Sequence, residues 1–391
     1  MNLRTAFAPY ARDIDEKRLD VLDGVRVLFV FFVAWFHIWQ QSWLSPTFAL
    51  FSIQVSLDFL PRTGYIFVDG MLLLSGLLLY YPVAGAADRA PDFLGFYKKR
   101  LIRIFPSYVL CIAVMLFFSA LPQKAYPTFE AGFQDLLAHL TFTNNFFPFS
   151  YQGTPLNGVL WTLAVEMQFY LIFPLLARAF KKRPLITFLC MTGAAFAYRA
   201  YVAALPDTTM YINQLPAFLD VYAIGFAAAA LIRAFRERLK DETRLEKLFF
   251  TVLSVLTVCL LVPLLQNQAA QNGYEAIRLG QLSSRFPLAV ILAALMVCLC
   301  FSLPGVRFLF GNRLMRFLSA VSFQYYIWHQ VFAVKLKSLG IPPALNAEPW
   351  RMGEKAWQYP YTLLCFLGAL FIAILVTCLF EKPVTRALRK R

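Results

Sequence analysis

Ten segments of mostly apolar residues, each about 20 residues long, constrain the fold of this chain more than any other feature. They cover residues 21–43, 65–83, 101–121, 157–177, 184–204, 216–235, 247–266, 286–303, 315–335 and 360–380. Hydrophobic residues make up 59% of the chain and charged residues 15%, against about 45–50% and about 25% in soluble domains. We therefore predict an all-α, polytopic membrane helix bundle. A soluble enzyme, a disordered chain and a disulfide scaffold are excluded.

The distribution of positive charge between the loops predicts the orientation of the spans. Of the 37 lysines and arginines, 27 fall in segments on the same side as the N-terminus and eight on the other side. Because cytoplasmic loops carry the excess of Lys and Arg, we expect both termini in the cytoplasm. The prediction is one transmembrane domain over residues 1–391, with cytoplasmic segments at 1–20 and 381–391. This rule and contacts with anionic membrane lipid account for most of the net charge of +15 without nucleic acid.

The seven cysteines lie inside apolar segments and have no paired spacing typical of a metal site. We therefore expect them to be small buried hydrophobic residues, and we expect no metal in the functional site.

Two ionisable residues stand out in the first span. Arg26 lies near the predicted cytoplasmic face, and His37 follows 11 residues later, about 16 Å further out and close to the same helix face. Ionisable residues inside a span are rare and usually functional. The alternative interpretations are an interfacial anchor for Arg26 and a hydrogen-bonded packing residue for His37.

Other polar residues are expected at a similar membrane depth. Glu166 lies roughly 13 Å below the outer face in the fourth span, and His329 lies in the outer half of the ninth. The second span adds Asp69 and Ser75. Two of the three histidines at one level favour a site over isolated packing residues, although His329 alone also fits a structural partner and Ser75-Gly76 also fits close helix packing.

Arg100 and Arg103 are one helical turn apart at the predicted cytoplasmic mouth of the third span. Arg binds phosphate through paired hydrogen bonds, so this pair is a candidate site for a phosphorylated ligand. The alternative is that both residues serve only to set the topology.

Six motifs on these spans resemble the acyltransferase-3 family of bacterial integral-membrane acyltransferases, and the resemblance covers most of the chain. The motifs are Asp23-Gly-Val-Arg26 followed by His37, Leu74-Ser75-Gly76-Leu77, Arg100-Leu-Ile-Arg103, Trp161-Thr-Leu-Ala-Val-Glu166-Met-Gln-Phe-Tyr170, Ser322-Phe-Gln-Tyr-Tyr326-Ile-Trp-His329 and Glu381-Lys-Pro383. The chain departs from the family pattern at Thr162, where Ser is usual, at Leu77, where Phe is usual, and at Asp69, where aromatic residues are common.

The resemblance implies transfer of an acyl group, usually acetyl, from cytoplasmic acyl-CoA to a hydroxyl of a cell-envelope or exported carbohydrate or a lipid-linked glycan. It implies a multi-pass protein of the bacterial cytoplasmic membrane, with acyl-CoA as co-substrate and no permanently bound cofactor. The expected residues are listed by role: His37 as general base or transient acyl carrier with Glu166 and Arg26 in catalysis, Arg100, Arg103 and Arg26 for acyl-CoA, and Asp69, Ser75, Trp161, Ser322, Tyr326 and His329 on the acceptor side.

Three other functions fit parts of the same pattern. A proton-coupled transporter or flippase would use His37, Glu166 and His329 as a proton relay. A different class of membrane acyltransferase would share a buried histidine but not the motif order. A non-catalytic assembly partner would leave the aligned histidines unexplained. The motifs distinguish neither acetyl from succinyl transfer nor direct transfer from an acyl-enzyme, and they do not indicate an oligomeric state.

Overall fold

The computed structural model describes residues 19–51, 53–85, 92–239 and 243–389. Most of the predicted cytoplasmic N-terminal segment and the last two residues of the predicted tail lie outside this part of the chain.

The described chain is built mainly from α-helices, which we number in chain order. They are α1 (Val21–Ser42), α2 (Phe59–Thr63), α3 (Phe67–Ala84), α4 (Phe93–Met115), α5 (Phe129–Leu140), α6 (Pro148–Tyr151), α7 (Trp161–Lys182), α8 (Pro184–Ala203), α9 (Leu219–Arg238), α10 (Arg244–Ala269), α11 (Tyr274–Phe301), α12 (Pro304–Gly311), α13 (Arg313–Ser338), α14 (Lys355–Val376) and α15 (Lys382–Arg389). Short 3₁₀ turns cover Gly64–Ile66, Asn144–Phe146, Gly158–Leu160 and Leu215–Phe218, and π-helical turns cover Leu116–Ala120 and Thr377–Glu381.

Nine helical segments of the described chain are long and apolar enough to cross a membrane, and they coincide with nine of the ten predicted spans. The remaining predicted span, the ninth in chain order, is α13, which has 26 residues and is therefore about 39 Å long. Polar residues along its middle, including Ser319, Ser322 and Gln324, make α13 less apolar than the others. Because α13 packs between α1 and α14, these side chains face protein. The predicted polytopic helix bundle is confirmed.

A small antiparallel hairpin follows α1. Strands β1 (Thr47–Leu50) and β2 (Ile53–Ser56) pair so that Thr47 lies opposite Ser56. The sequence analysis does not predict this hairpin, because strands of four residues are too short to carry a periodic signal.

Several helices are capped at their N-terminus by a side chain that accepts a hydrogen bond from a backbone N–H group of the first turn. Thr243 and Glu246 form a reciprocal capping box at the start of α10. Asn312 accepts a hydrogen bond from the backbone N–H of Met315 and so fixes the start of α13. The position of this cap matters because α13 supplies one wall of the site described below.

Glycines allow α3 and α9 to pack with their backbones in close approach. A Cβ atom added at Gly225 of α9 would lie 2.5 Å from the carbonyl oxygen of Leu73 and 2.9 Å from the backbone nitrogen of Leu77. On the facing helix, a Cβ added at Gly76 would lie 3.1 Å from the carbonyl oxygen of Tyr222. Close packing of small residues is a usual way for membrane helices to associate. The packing interpretation of Gly76 therefore holds in this structure.

Gly225→Ala is expected to lower the free energy of unfolding by about 1–3 kcal/mol, because the neighbouring atoms are backbone and cannot move aside easily. The matched control is Gly193→Ala on α8, where an added Cβ meets nothing within 4 Å. Thermal unfolding of both purified variants in detergent measures the difference. Equal stability of the two variants would contradict the close approach of α3 and α9.

Candidate active site

A cavity of about 730 Å³ lies between α1, α3, α4, α7, α13 and the C-terminal segment. This volume is typical of sites for small molecules and cofactors. The polar residues that line it are Asp23, Arg26, Ser75, Arg100, Arg103, Thr162, Glu166, Tyr170, Arg316, Ser319, Ser322, Tyr326, Glu381, Thr385 and Arg389. The cavity thus brings together side chains from all six sequence motifs and from near both ends of the described chain.

One end of the cavity is rich in arginine. Five arginines and three carboxylates line the cavity, so positive charge is in excess. Arg26 donates a hydrogen bond of 3.2 Å to the hydroxyl oxygen of Ser319, which in turn donates one of 2.7 Å to Asp23. Arg316 of α13 lies 3.9 Å from Asp20 in a buried ion pair. This end has the charge and the donor groups that a phosphorylated ligand requires.

The two arginines of α4 differ in how far their side chains are exposed. The Arg100 guanidinium lies over the rings of Phe96 and Tyr170, 5.4 and 5.6 Å from their centroids, which holds it at the cavity wall. Arg103 is exposed and lies one turn further along the same helix. Lys98 and Lys99 are also exposed but do not line the cavity.

Glu166 lies in the cavity wall, and its hydrogen bonds define its surroundings. Its carboxylate accepts a hydrogen bond of 2.8 Å from Ser75 and another from the hydroxyl of Tyr170. The nearby arginines balance its charge, which a carboxylate at membrane depth requires. The hydrogen bond of His37 goes to Gln40 rather than to Glu166, and the expected part of Glu166 in catalysis stays a prediction.

The other end of the cavity is closed by two hydroxyl groups. Thr162 donates a hydrogen bond of 2.8 Å to the hydroxyl of Tyr326. The start of α7 is held to α13 by Asn157, whose amide donates to the carbonyl oxygen of Ile327 at 2.9 Å. These two bonds fix the distance between α7 and α13 at the closed end.

A pair of histidines lies just beyond this end. His329 follows Tyr326 by three residues on α13, so it lies about 4.5 Å further along the helix. The rings of His37 and His329 are in contact, with centroids 5.2 Å apart and planes tilted by 43°. Arg26 and His37 both face α13, as their spacing on one helix face predicts. Neither His37 nor His329 lines the cavity, but the pair lies on the same two helices, one turn beyond Tyr326 of the lining.

Asp69 and Trp161, expected on the acceptor side, lie elsewhere. Asp69 is buried and accepts a hydrogen bond of 3.1 Å from Arg285, which also donates to the carbonyl oxygen of Ile212 and lies over the ring of Phe218. A second buried pair, Arg199 with Asp220, is close by. Trp161 stacks on Phe218, with ring centroids 6.3 Å apart. Neither Asp69 nor Trp161 lines the cavity, whereas Ser75, Ser322 and Tyr326 do.

The site residues that the sequence analysis does not identify include Arg316, Arg389, Glu381 and Gln40. Arg316 and Arg389 line the cavity, but in the sequence they count only as positive charges that set the topology. Glu381 accepts a hydrogen bond of 2.7 Å from Gln324 at the π-helical turn after α14. Its place in a terminal motif is the signal that would have identified it. Gln40, one turn after His37, is the fourth.

The third histidine belongs to a separate buried cluster. His139 on α5 lies with its Nδ1 near Asp135 and 3.2 Å from the hydroxyl of Ser150. Burial alone would raise the pKa of the Asp135 carboxyl, but hydrogen bonds from His139, Ser150 and Tyr126 outweigh it and hold that pKa below its usual value. Nucleophilic triads place the serine on one ring nitrogen and the carboxylate on the other. Here both lie at Nδ1, so the cluster anchors the segment between α4 and α7.

A family model described as an acyltransferase domain matches residues 19–386. This match confirms the resemblance that the six motifs indicate. No solved structure matches the chain.

Three relatives show how far the similarity extends. The putative acetyltransferase ORF330 of Acidianus two-tailed virus is 23% identical over 312 residues, which are 79% of this chain and 82% of the viral protein. The O-acetyltransferase OatA of Staphylococcus aureus (strain NCTC 8325 / PS 47) is 29% identical over 180 residues, 42% of this chain and 26% of that protein. The regulator of hypoxia-inducible factor 1 of Caenorhabditis elegans is 33% identical over 124 residues, 30% of this chain and 24% of that protein. The chain thus matches most of the viral protein and about a quarter of the other two.

Asp69→Ala is expected to lower the free energy of unfolding by about 3–5 kcal/mol, because it leaves the buried Arg285 guanidinium without its partner. The double variant Asp69→Leu with Arg285→Met removes both charges and is expected to recover most of that loss. Glu348→Ala, which breaks an exposed ion pair with Arg351, is the control and is expected to change nothing measurable.

Thermal unfolding in detergent compares the three variants. If the double variant is as unstable as Asp69→Ala, Asp69 does more than pair with Arg285.

Proposed function

The chain belongs to the acyltransferase-3 family, and from that premise we propose that it is a multi-pass O-acyltransferase of the bacterial cytoplasmic membrane. It takes an acyl group, acetyl by preference, from cytoplasmic acyl-CoA and transfers it to a hydroxyl of a cell-envelope or exported carbohydrate. Two of the relatives described above are named as acetyltransferases, which supports acetyl as the transferred group. The observation that carries the proposal is the arginine-rich cavity between α1 and α13, together with the pair of histidines one turn beyond Tyr326 of its lining.

The arginine-rich end binds the phosphate groups of CoA. Arg100 and Arg103 lie one turn apart at the predicted cytoplasmic mouth, and Arg26 and Arg316 line the same cavity. Guanidinium groups bind phosphate through paired hydrogen bonds, and a cavity with excess positive charge attracts a polyanion. The adenine nucleotide therefore stays near the cytoplasm, and the narrower pantetheine arm extends along α1.

The thioester is carried to the closed end of the cavity. Thr162 and Tyr326 close this end, so the acyl group passes their hydrogen bond on its way to the histidines. The Tyr326 hydroxyl donates to the carbonyl oxygen of Val159 over 3.4 Å, a long bond. It is therefore available to donate instead to the thioester oxygen as negative charge develops there.

His37 acts as general base on the acceptor hydroxyl. The hydroxyl oxygen attacks the thioester carbon, its proton moves to His37, the carbon–sulfur bond breaks, and the CoA thiolate then takes up a proton. General bases contribute typically about 10²–10⁴-fold to a rate. The competing version has the imidazole accept the acyl group first, which gives a short-lived acyl-histidine. Gln40 holds the His37 ring in one orientation in both versions.

Glu166 contributes by positioning rather than by contact with His37. Its carboxylate balances the arginines and orients Ser75 and Tyr170 at the middle of the cavity. The ring of Tyr170 in turn supports Arg100. Glu166 therefore couples the phosphate end to the path of the pantetheine arm.

The double variant Arg100→Ala/Arg103→Ala is expected to weaken acetyl-CoA binding by about 10- to 100-fold, because hydrogen bonds to charged groups contribute about 1.5–3 kcal/mol. Lys98→Ala/Lys99→Ala removes the same charge from the same helix but outside the cavity, and it is expected to change affinity less than twofold. Titration calorimetry in nanodiscs measures both. Equal losses in the two variants would reduce the role of the arginines to general surface charge.

His37→Ala is expected to lower acyl transfer by at least about 100-fold while acetyl-CoA binding stays intact. The assay uses purified protein in nanodiscs, radiolabelled acetyl-CoA and a crude envelope-glycan fraction. Label on carbohydrate that depends on His37 supports the acyltransferase.

Label trapped on the protein after acid quench would select the acyl-histidine version. Undiminished transfer by His37→Ala would eliminate both versions. Transport of a glycan without consumption of acetyl-CoA would favour the transporter.

A further inference from the structure

The hydrogen bonds of the two histidines define which ring nitrogen carries the proton in each. Nδ1 of His329 lies 2.7 Å from the backbone carbonyl oxygen of Tyr326, which can only accept, so Nδ1 is the protonated nitrogen. Nδ1 of His37 lies 3.1 Å from the amide oxygen of Gln40, which also accepts. Both neutral rings therefore keep a free lone pair on Nε2.

The Nε2 atom of His329 is fully buried and has no hydrogen-bond partner among the described residues. A buried polar atom without a partner is destabilising, so such an atom in a native protein requires an explanation. The adjacent His37 ring provides one. Two neutral Nε2 atoms repel each other, but an N–H on one ring can donate to the lone pair of the other.

Building on the function proposed above, we propose that His329 shares with His37 the proton released by the acceptor hydroxyl. The hydroxyl proton moves to Nε2 of His37 as the oxygen–carbon bond forms. The new N–H then donates to Nε2 of His329, which disperses the charge of the imidazolium. The proton moves to the CoA thiolate when the carbon–sulfur bond breaks, so the pair returns to its starting state with no net change in charge.

In this scheme His329 is a positioning residue, because it acts on the reacting atoms through His37. The pair holds one proton at a time, since two adjacent positive rings in a closed site would repel each other. A purely structural role for His329 makes a different prediction. Packing alone requires the size and shape of the ring but not its lone pair.

The test measures kcat and KM for acetyl-CoA in the wild-type protein and in two variants of His329. His329→Gln places an amide near Nε2, which can accept a hydrogen bond but cannot take up a proton. His329→Phe keeps a planar ring and removes the lone pair.

His329→Gln is expected to lower kcat about 10-fold and His329→Phe about 100-fold, with KM for acetyl-CoA changed less than twofold. Two controls are expected to keep a near-normal kcat: Tyr325→Phe, whose ring stacks on His329, and His139→Gln, which replaces a buried imidazole outside the site.

A kcat within twofold of wild type for both His329 variants would overturn the proposal. A loss of kcat in His329→Phe smaller than in His329→Gln would do the same, because packing alone then accounts for the residue. These outcomes leave the proposed acyl transfer intact as long as wild-type protein transfers label and His37→Ala does not. A wild-type protein that transfers no label would instead overturn both the function and this inference.

Discussion

The contact between α1 and α13 is the constraint on which the rest of the site depends. At one end of this contact, Arg26 is hydrogen-bonded to Ser319, and at the other end His37 lies against His329. Each helix is rigid and rises about 1.5 Å per residue, so the 11 residues from Arg26 to His37 set a separation of about 16 Å. A ligand held by its phosphates at the first end therefore meets the histidines only if its reactive group lies that far away. The two helices therefore fix the distance between Arg26 and the pair of histidines.

Buried charge in this bundle follows two different patterns. Away from the cavity, charges occur as matched pairs: Arg285 with Asp69 and Arg199 with Asp220. These two pairs connect α3 with α11 and α8 with α9, and each pair has no net charge. Inside the cavity, arginines outnumber carboxylates, so the lining carries an excess of positive charge. The contrast separates the charges that are paired within the fold from those that line the cavity, and Asp69 belongs to the first group.

The sequence predicts the parts of the structure that depend on local spacing. Apolar length locates the spans, and the helical period puts Arg26 and His37 on one face. Pairings between distant segments are not visible in one sequence, because composition and period contain no information about which helices are neighbours. The partner of Asp69, Arg285, is 216 residues away in the sequence. Because one sequence does not show this ion pair, the motif comparison assigns Asp69 to the acceptor side. Arg316 is missed for a related reason, since an arginine that sets topology and one that lines a cavity look the same before the helices are packed.

The most direct test of the account is a structure of the protein in nanodiscs with a non-hydrolysable acetyl-CoA analogue. We predict the phosphates of the analogue at hydrogen-bond distance from Arg100 and Arg103. We predict its pantetheine arm along α1 and its acyl carbon past Tyr326, beside His37 and His329. An analogue whose phosphates bind away from the arginine-rich end, or whose acyl carbon stops short of Tyr326, would contradict the account.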